Sequence, residues 1–361
     1  MKLLPSITSG LCASLALAFG IANAPAAYAD GFTYKRHNLV SDGFVPADHY
    51  DAHLVNAWGI AFNPFGAVWV SNNGTGTSTL YDGTGNVLSL VVQIPSPTKD
   101  NGGNPTGMVY NGSSDFVISK GAVSAPSRFV FATEDGVIAA WAPSVDLTHA
   151  VRVVPVSSAI FKGLAISAGG SGGQLYATDF FNAKVRVYDS HFMPVTLPAG
   201  AFQDADIPHG FAPFGIQNIG GDIYVTYAKQ AAGRHDDVHG PGLGYVDAYT
   251  PNGRLIRRVA TRGALNAPWG MAVAPAGFGR FGSSLLIGNF GDGRINAYDP
   301  IFNFPLGSLR NARLQPIHIP GLWGLAFGNG YASQSVDTLY FTAGPGEEAH
   351  GLYGRIEPTQ Y

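Results

Sequence analysis

NAPWGMAVAPAGFGRFGSSLLIGNFGDGRINAYD, residues 266–299, reads as three short strands joined by turns. One apolar strand opens on Trp269-Gly270-Met271, a second runs from Leu285 to Phe290, and a third from Arg294 to Asp299. The Asp292-Gly293 pair between the last two supplies the turn chemistry a hairpin needs. Five other segments share this layout. A Gly followed by an apolar pair recurs at Gly59-Ile60-Ala61, Gly107-Met108-Val109, Gly163-Leu164-Ala165, Gly215-Ile216-Gln217, Gly270-Met271-Ala272 and Gly324-Leu325-Ala326. Successive glycines lie 48, 56, 52, 55 and 54 residues apart, the even interval of a propeller or solenoid.

Behind each Gly comes a second strand: Val68 to Ser71, Phe129 to Thr133, Leu175 to Asp179, Ile223 to Tyr227, Leu285 to Asn289 and Leu339 to Thr342. A third strand follows, ending on an aromatic residue in most copies, as at Thr79 to Asp82, Val137 to Trp141 and Val185 to Asp189. Candidate fourth strands are Val87 to Val92, Val151 to Val156 and Leu255 to Ala260. No amphipathic helix interrupts the series. Four strands per repeat, six times, predicts an all-β, six-bladed β-propeller. The sixth repeat runs out at Ile356 with no fourth strand, while Tyr34 to Val40 is a free strand of the same character. An open ring would expose sheet edges, so the N-terminal segment is expected to close it as the outer strand of the last blade.

The N-terminus reads as an export signal. Lys2 is its positive end, Leu11 to Ala22 its apolar core, and Ala27-Tyr28-Ala29 its small-x-small cleavage site. That divides the chain into a signal peptide at 1–29 and a single propeller domain at 30–361. Cys12, the lone cysteine, falls inside the signal, so packing rather than disulfides must hold the mature protein together. Without Lys2 there are 20 basic against 24 acidic residues, a net charge of −4. Such a balance argues against a nucleic-acid partner. Charged residues are 12% of the chain and Gly 48 of 361, as many short strands and tight turns require. The expected product is a monomer with no membrane span after cleavage, delivered to the periplasm or the medium.

The order Gly-Ile/Met-Ala, a strand ending in Asn or Asp, then Arg-Ile/Val-x-x-Tyr-Asp is clearest in Pro268 to Asp299 and Lys162 to Asp189. It resembles NHL-repeat and SMP-30-like six-bladed propellers. Leu54 to Ile60, Lys229 to Gly242 and Thr342 to Pro345 make the whole similar to a functionally uncharacterised family of exported bacterial propellers. This resemblance implies fold and export; it implies no known reaction.

Three groups of residues are candidates for a site. The second-strand ends supply Asn72, Glu134, Asp179 and Asn289, oxygen donors that suit a hard divalent cation such as Ca2+ or Mg2+. SMP-30-like lactonases use a comparable mixture of acids and amides, which implies a divalent-metal-dependent hydrolase as the alternative to a binding module. Asn and Asp are also ordinary turn formers at strand ends. The second group is the insertion Arg234-His235-Asp236-Asp237-Val238-His239 of the fourth repeat. Imidazole with carboxylate suits a transition metal, and a loop held by flanking glycines suits a structural role. Trp58, Trp269 and Trp323, each just before a repeat Gly, form the third, either as blade packing or as a stacking platform for a ligand. With no Gly-x-Ser-x-Gly elbow and no mature cysteine, the sequence favours a module that binds a protein, glycan or small molecule over a nucleophilic enzyme.

Overall fold

The computed structural model describes Met1 and residues 32–167 and 172–360. The export signal, Cys12 and part of the Gly169–Gly173 run lie outside the described residues. Six sheets follow one another along the chain, antiparallel except for one short parallel edge pair in the last, with a separate hairpin, Val117–Lys120 with Val123–Pro126. The inner strands, one per blade, are Ala57–Phe62, Pro105–Tyr110, Phe161–Ser167, Phe211–Ile219, Pro268–Val273 and Leu322–Phe327. Each carries one of the repeat glycines. Helix is confined, among the described residues, to two single-turn 3-10 segments, and no described helix is long and apolar enough to cross a membrane.

The repeat Gly is fixed by the next blade. A Cβ built on Gly59 would lie 2.4 Å from the Thr106 carbonyl oxygen, and one on Gly107 2.4 Å from Leu164 N. The same holds for Gly163 against Phe214 O at 2.9 Å, Gly215 against Trp269 O at 2.1 Å and Gly270 against Trp323 O at 2.4 Å. Gly324 meets Trp58 O at 2.9 Å and so returns to the first blade. Inner strands can pack this closely around an axis only where the side chain is a hydrogen. Threonine hydroxyls add cross-blade ties, Thr178 donating to Phe214 O and Thr342 to Trp58 O.

The N-terminal strand closes the ring as the sequence predicts. Phe32–Ser41 runs antiparallel to Leu352–Gln360 as the fourth strand of blade 6, with a bulge between Asn38 and Val40. The short segment His49–Tyr50 pairs outside it. Tyr34 is buried against Phe278 and Phe281, and its hydroxyl donates to Phe278 O and accepts from Phe281 N, both at 3.0 Å. That ties the strand to blade 5 as well as to its own sheet.

The fourth strands depart most from expectation. In blade 1 only Val92–Gln93 pairs with Thr77 and Ser78, and Val87 makes an isolated bridge to Tyr81. Blade 3 has three strands, with Pro194 bridging Tyr188, because proline cannot donate to a ladder. Blade 5 has an outer strand the pattern does not announce, Pro305–Ser308; Pro305 at its first residue is tolerated on an edge.

Candidate binding site at the mouth of the channel

The six inner strands leave a narrow axial space of about 30 Å³, lined by Gly59, Gly107, Gly270 and Gly324 among others. One end is plugged by aromatic rings from several blades. Trp58 and Trp323 stack at 3.6 Å between centroids, Phe290 stacks on Trp323 at 3.9 Å, and Phe180 and Phe214 complete the plug. Trp58 and Trp323 are each 1% exposed, so their faces are packing surfaces and offer no platform to a ligand. Trp269 is half-buried, meets both indoles edge-on, and donates from Nε1 to Lys162 O at 3.1 Å.

Above the plug a polar network crosses the axis. Lys162, on the inner strand of blade 3, is 3% exposed and forms an ion pair with Glu134 from blade 2. Its ammonium stands 5.1 Å from the ring centre of Trp58, where the ring quadrupole favours a cation. Asn73 donates to the other Glu134 oxygen at 2.8 Å, and Asn56 reaches Asn73 Oδ1 at 3.3 Å and Glu348 Oε2 at 2.7 Å. Asn56 Oδ1 accepts from Trp323 Nε1 at 2.9 Å. The network therefore runs from blade 3 through blades 2 and 1 to blade 6. Burial raises the Glu348 carboxyl above the usual glutamate range, against the Asn56 hydrogen bond and the Lys162 charge.

Beside the network lies a cavity of about 470 Å³, lined by His239, Phe290, Asp292, Glu347, Glu348 and a run of glycines that includes Gly344 and Gly346. Glu347 and Glu348 both hold left-handed backbone, φ 56° and 66°, a conformation uncommon outside Gly that concentrates at functional turns. Asp237 shows 6% of its side chain; its Oδ2 lies 3.4 Å from His239 Nε2 yet makes no hydrogen bond. Burial pushes its carboxyl up, opposed by His239 and Lys162. A larger groove of about 670 Å³ sits between the closing strand and residues 311–318. Its charged lining residues, Lys35 and Arg36, are exposed, so it lacks the buried charge that distinguishes the mouth.

The strand-end residues do not come together as one metal site. Asn72 donates to Thr77 and Thr79 of its own blade, Asp179 pairs with Arg186 and Asn182, and Asn289 bonds Ala264 O and Asp292. Glu134 alone of the four belongs to the mouth, and the reason is register. The ladders pair Ala57 with Asn72, Phe161 with Asp179 and Pro268 with Asn289, whereas Thr133 takes that place in blade 2. Glu134 is one residue further on, aligned with Asn73, Phe180 and Phe290. A one-residue offset turns a side chain to the other face, so Glu134 meets the axis and the other three lie in their blades. Among the described residues no three His, Cys, Asp or Glu are grouped to hold a metal ion.

The insertion is divided. Asp237–Val238 forms a short strand against Lys229–Gln230, so the histidines never share a helical turn. His235 and Asp236 pair with each other at 2.6 Å in solvent, while Asp237 and His239 turn toward the mouth, His239 against the Phe290 ring at 5.1 Å. Sequence reasoning did not place Lys162, Asn56, Asn73 or Glu348 among the candidates. For Lys162 a signal existed. The position before the repeat Gly is Trp58, Thr106, Lys162, Phe214, Trp269 and Trp323, and one charged residue in an otherwise mostly aromatic, axis-facing set marks the site.

No family model matches the chain. The uncharacterized protein R648 of Acanthamoeba polyphaga mimivirus is 34% identical over 334 residues, 90% of this chain and 80% of that one. The uncharacterized protein L690 of the same virus is 34% identical over 337 residues, 91% of this chain and 87% of that one. A solved protein of unknown function from Bacteroides thetaiotaomicron superposes with a TM-score of 0.56 at 12% identity, covering 91% of this chain and 76% of that one, a likeness of fold alone. The resemblance to exported bacterial propellers thus carries over as fold and not as a bacterial origin, since these two relatives are viral.

Proposed function

The chain belongs to the family of the mimivirus proteins R648 and L690, and from that premise we propose that it is a propeller that binds a small molecule at the plugged mouth of its channel. One observation carries this reading: buried, hydrogen-bonded charge from separate blades converges beside a blind cavity of about 470 Å³. Buried charged groups cluster at functional sites, and a concave pocket with a few convergent polar groups is the usual form of a small-molecule site. The plug makes the cavity a pocket rather than a passage. Export delivers the module to the periplasm or medium, and a mature N-terminus at Asp30, read by mass spectrometry of the secreted product, is the expected result.

The binding reading is tested by screening small molecules for a change in intrinsic tryptophan fluorescence, since Trp58 and Trp323 form the plug beneath the mouth. A hit is expected to saturate at one site per chain and to weaken at least ten-fold in His239→Ala combined with Glu348→Gln. Hits indifferent to both substitutions, or lost instead on changing Arg36 in the outer groove, would move the site away from the channel.

A further inference from the structure

We propose that the outer groove, between the closing strand and residues 311–318, binds an organic carboxylate with an apolar body, at a site separate from the mouth. The groove measures about 670 Å³, within the usual range of small-molecule sites. One wall is the closing strand, with Tyr34, Lys35 and Arg36; the other is the connection from blade 5 to blade 6, with Pro316, Ile317 and His318. Both walls are braced by the fold itself. Tyr34 N donates to Arg310 O at 2.8 Å, and the opposite wall is folded back on itself by the Arg310–Pro316 bridge and by Arg310 Nη1 donating to Leu314 O at 2.7 Å. Arg36 reaches from one wall to the other, its Nη1 donating to His318 O at 2.8 Å. A guanidinium anchored in this way holds its remaining N–H donors in a fixed plane.

The lining sets the chemical class. It contains Lys35, Arg36 and His318 and no carboxylate, so the charge it offers is positive. The acid opposite Lys35 on the paired strand, Glu357, is engaged by Arg355 at 3.4 Å. Partial burial lowers the Arg36 guanidinium from its usual value, and no carboxylate opposes that shift. An anion brought to the groove supplies the absent counter-charge, and a carboxylate matches the guanidinium fork with two parallel hydrogen bonds. Tyr34, Ala312, Pro316 and Ile317 supply an apolar surface beside these charges. The Tyr34 hydroxyl is already taken by Phe278 O and Phe281 N, which leaves its ring for apolar contact. An inorganic anion would leave that surface uncovered, whereas a chain or ring bearing one carboxylate covers it and reaches Arg36.

The test titrates the full chain calorimetrically with octanoate below its micellar concentration. Acetate serves as the charge without the body, 1-octanol as the body without the charge, and octylamine as the body with the opposite charge. Octanoate is expected to bind more tightly than all three and to slow hydrogen exchange in the closing strand, 32–41, more than in the inner strand of blade 2, 105–110. No tryptophan lines the groove, so octanoate should leave the tryptophan emission that reports on the mouth unchanged. Arg36→Gln should weaken octanoate about ten-fold or more, as the loss of a charge-assisted pair does, and Arg36→Lys, which keeps the charge without the fork, by a smaller factor. Alternation along the strand turns Lys35 to the face opposite Arg36, so Lys35→Gln removes the same charge at less cost. Thermal melts of each variant establish that it is folded. Equal losses in Arg36→Gln and Lys35→Gln would reduce the effect to diffuse surface charge and overturn the site. So would the absence of octanoate binding, or tighter binding of 1-octanol or octylamine. His239→Ala combined with Glu348→Gln should bind octanoate as the wild type does; octanoate lost there and kept in Arg36→Gln would overturn the groove site and leave the mouth reading intact.

Discussion

Trp58 of the first blade and Trp323 of the last lie face to face, 3.6 Å between ring centroids with planes 14° apart. The stack spans the join where the ring closes, and the Trp323 indole also orients Asn56 through a 2.9 Å hydrogen bond. Packing and site are therefore one structure at this point. Replacing Trp323 by Ala removes a fully buried ring and leaves Asn56 Oδ1 without its donor. A loss of about 3–5 kcal/mol is expected, read as a lower midpoint in urea denaturation. A loss under about 1 kcal/mol would mean that the join is held by other contacts.

Gly215 offers a sharper probe of blade packing, because a Cβ there would fall 2.1 Å from the carbonyl oxygen of Trp269 in the next blade. Backbone cannot step aside as a flexible side chain does. Gly215→Ala should cost about 3 kcal/mol, at the upper end of overpacking effects, whereas Gly200→Ala tests an open position with a left-handed φ of 77° and should cost about 1 kcal/mol. Equal melting temperatures for the two variants would contradict the close approach.

The hydroxyl of Tyr34 holds the closing strand to blade 5 with two hydrogen bonds. Tyr34→Phe keeps the ring and leaves Phe281 N–H unpaired, a loss of about 1–3 kcal/mol. Hydrogen exchange should rise first along 32–41, since a weakened end strand opens locally before the whole fold. Exchange that rises evenly over all blades instead would show that this strand is not a separate unit.

Glu348 gives the protein a pH dependence with a definite sign. Burial raises its carboxyl, while Asn56 and Lys162 oppose the rise, and Glu134 and Asp237 add to it. The folded chain therefore holds this proton more tightly than the unfolded chain does. That contribution is fully present below the ordinary glutamate value and is lost as pH rises through the raised one. Glu348→Gln keeps an acceptor for Asn56 and removes the charge, so wild type and variant should melt together near pH 4, with the variant the more stable at pH 8. A wild type that is the more stable at pH 8 would reverse the sign.

The fold was legible because each repeat Gly answers a steric demand of the neighbouring blade, so the pattern recurs wherever the geometry does. The ends of the outer strands were less legible: Pro194 and Pro305 sit on edges where few contacts discriminate strand from loop. The site was half legible. Glu134, Asp237 and His239 were singled out, but as parts of two different metal sites, because one residue of register decides whether a strand-end side chain faces the axis or its own sheet. Lys162 was missed because the inner strands were read only through their repeat glycines and the tryptophans before them. Comparing the residue before each repeat Gly across the six copies reveals it.

The pairing of Phe32–Ser41 with Leu352–Gln360 sets an order of events. The strand made first must wait, unpartnered, until the strand made last has emerged, so the longest-range contact in the molecule is also the one that completes it. Such late, non-local pairing slows folding. The molecule therefore remains an open arc until blade 6 is complete, and becomes circular in one late step.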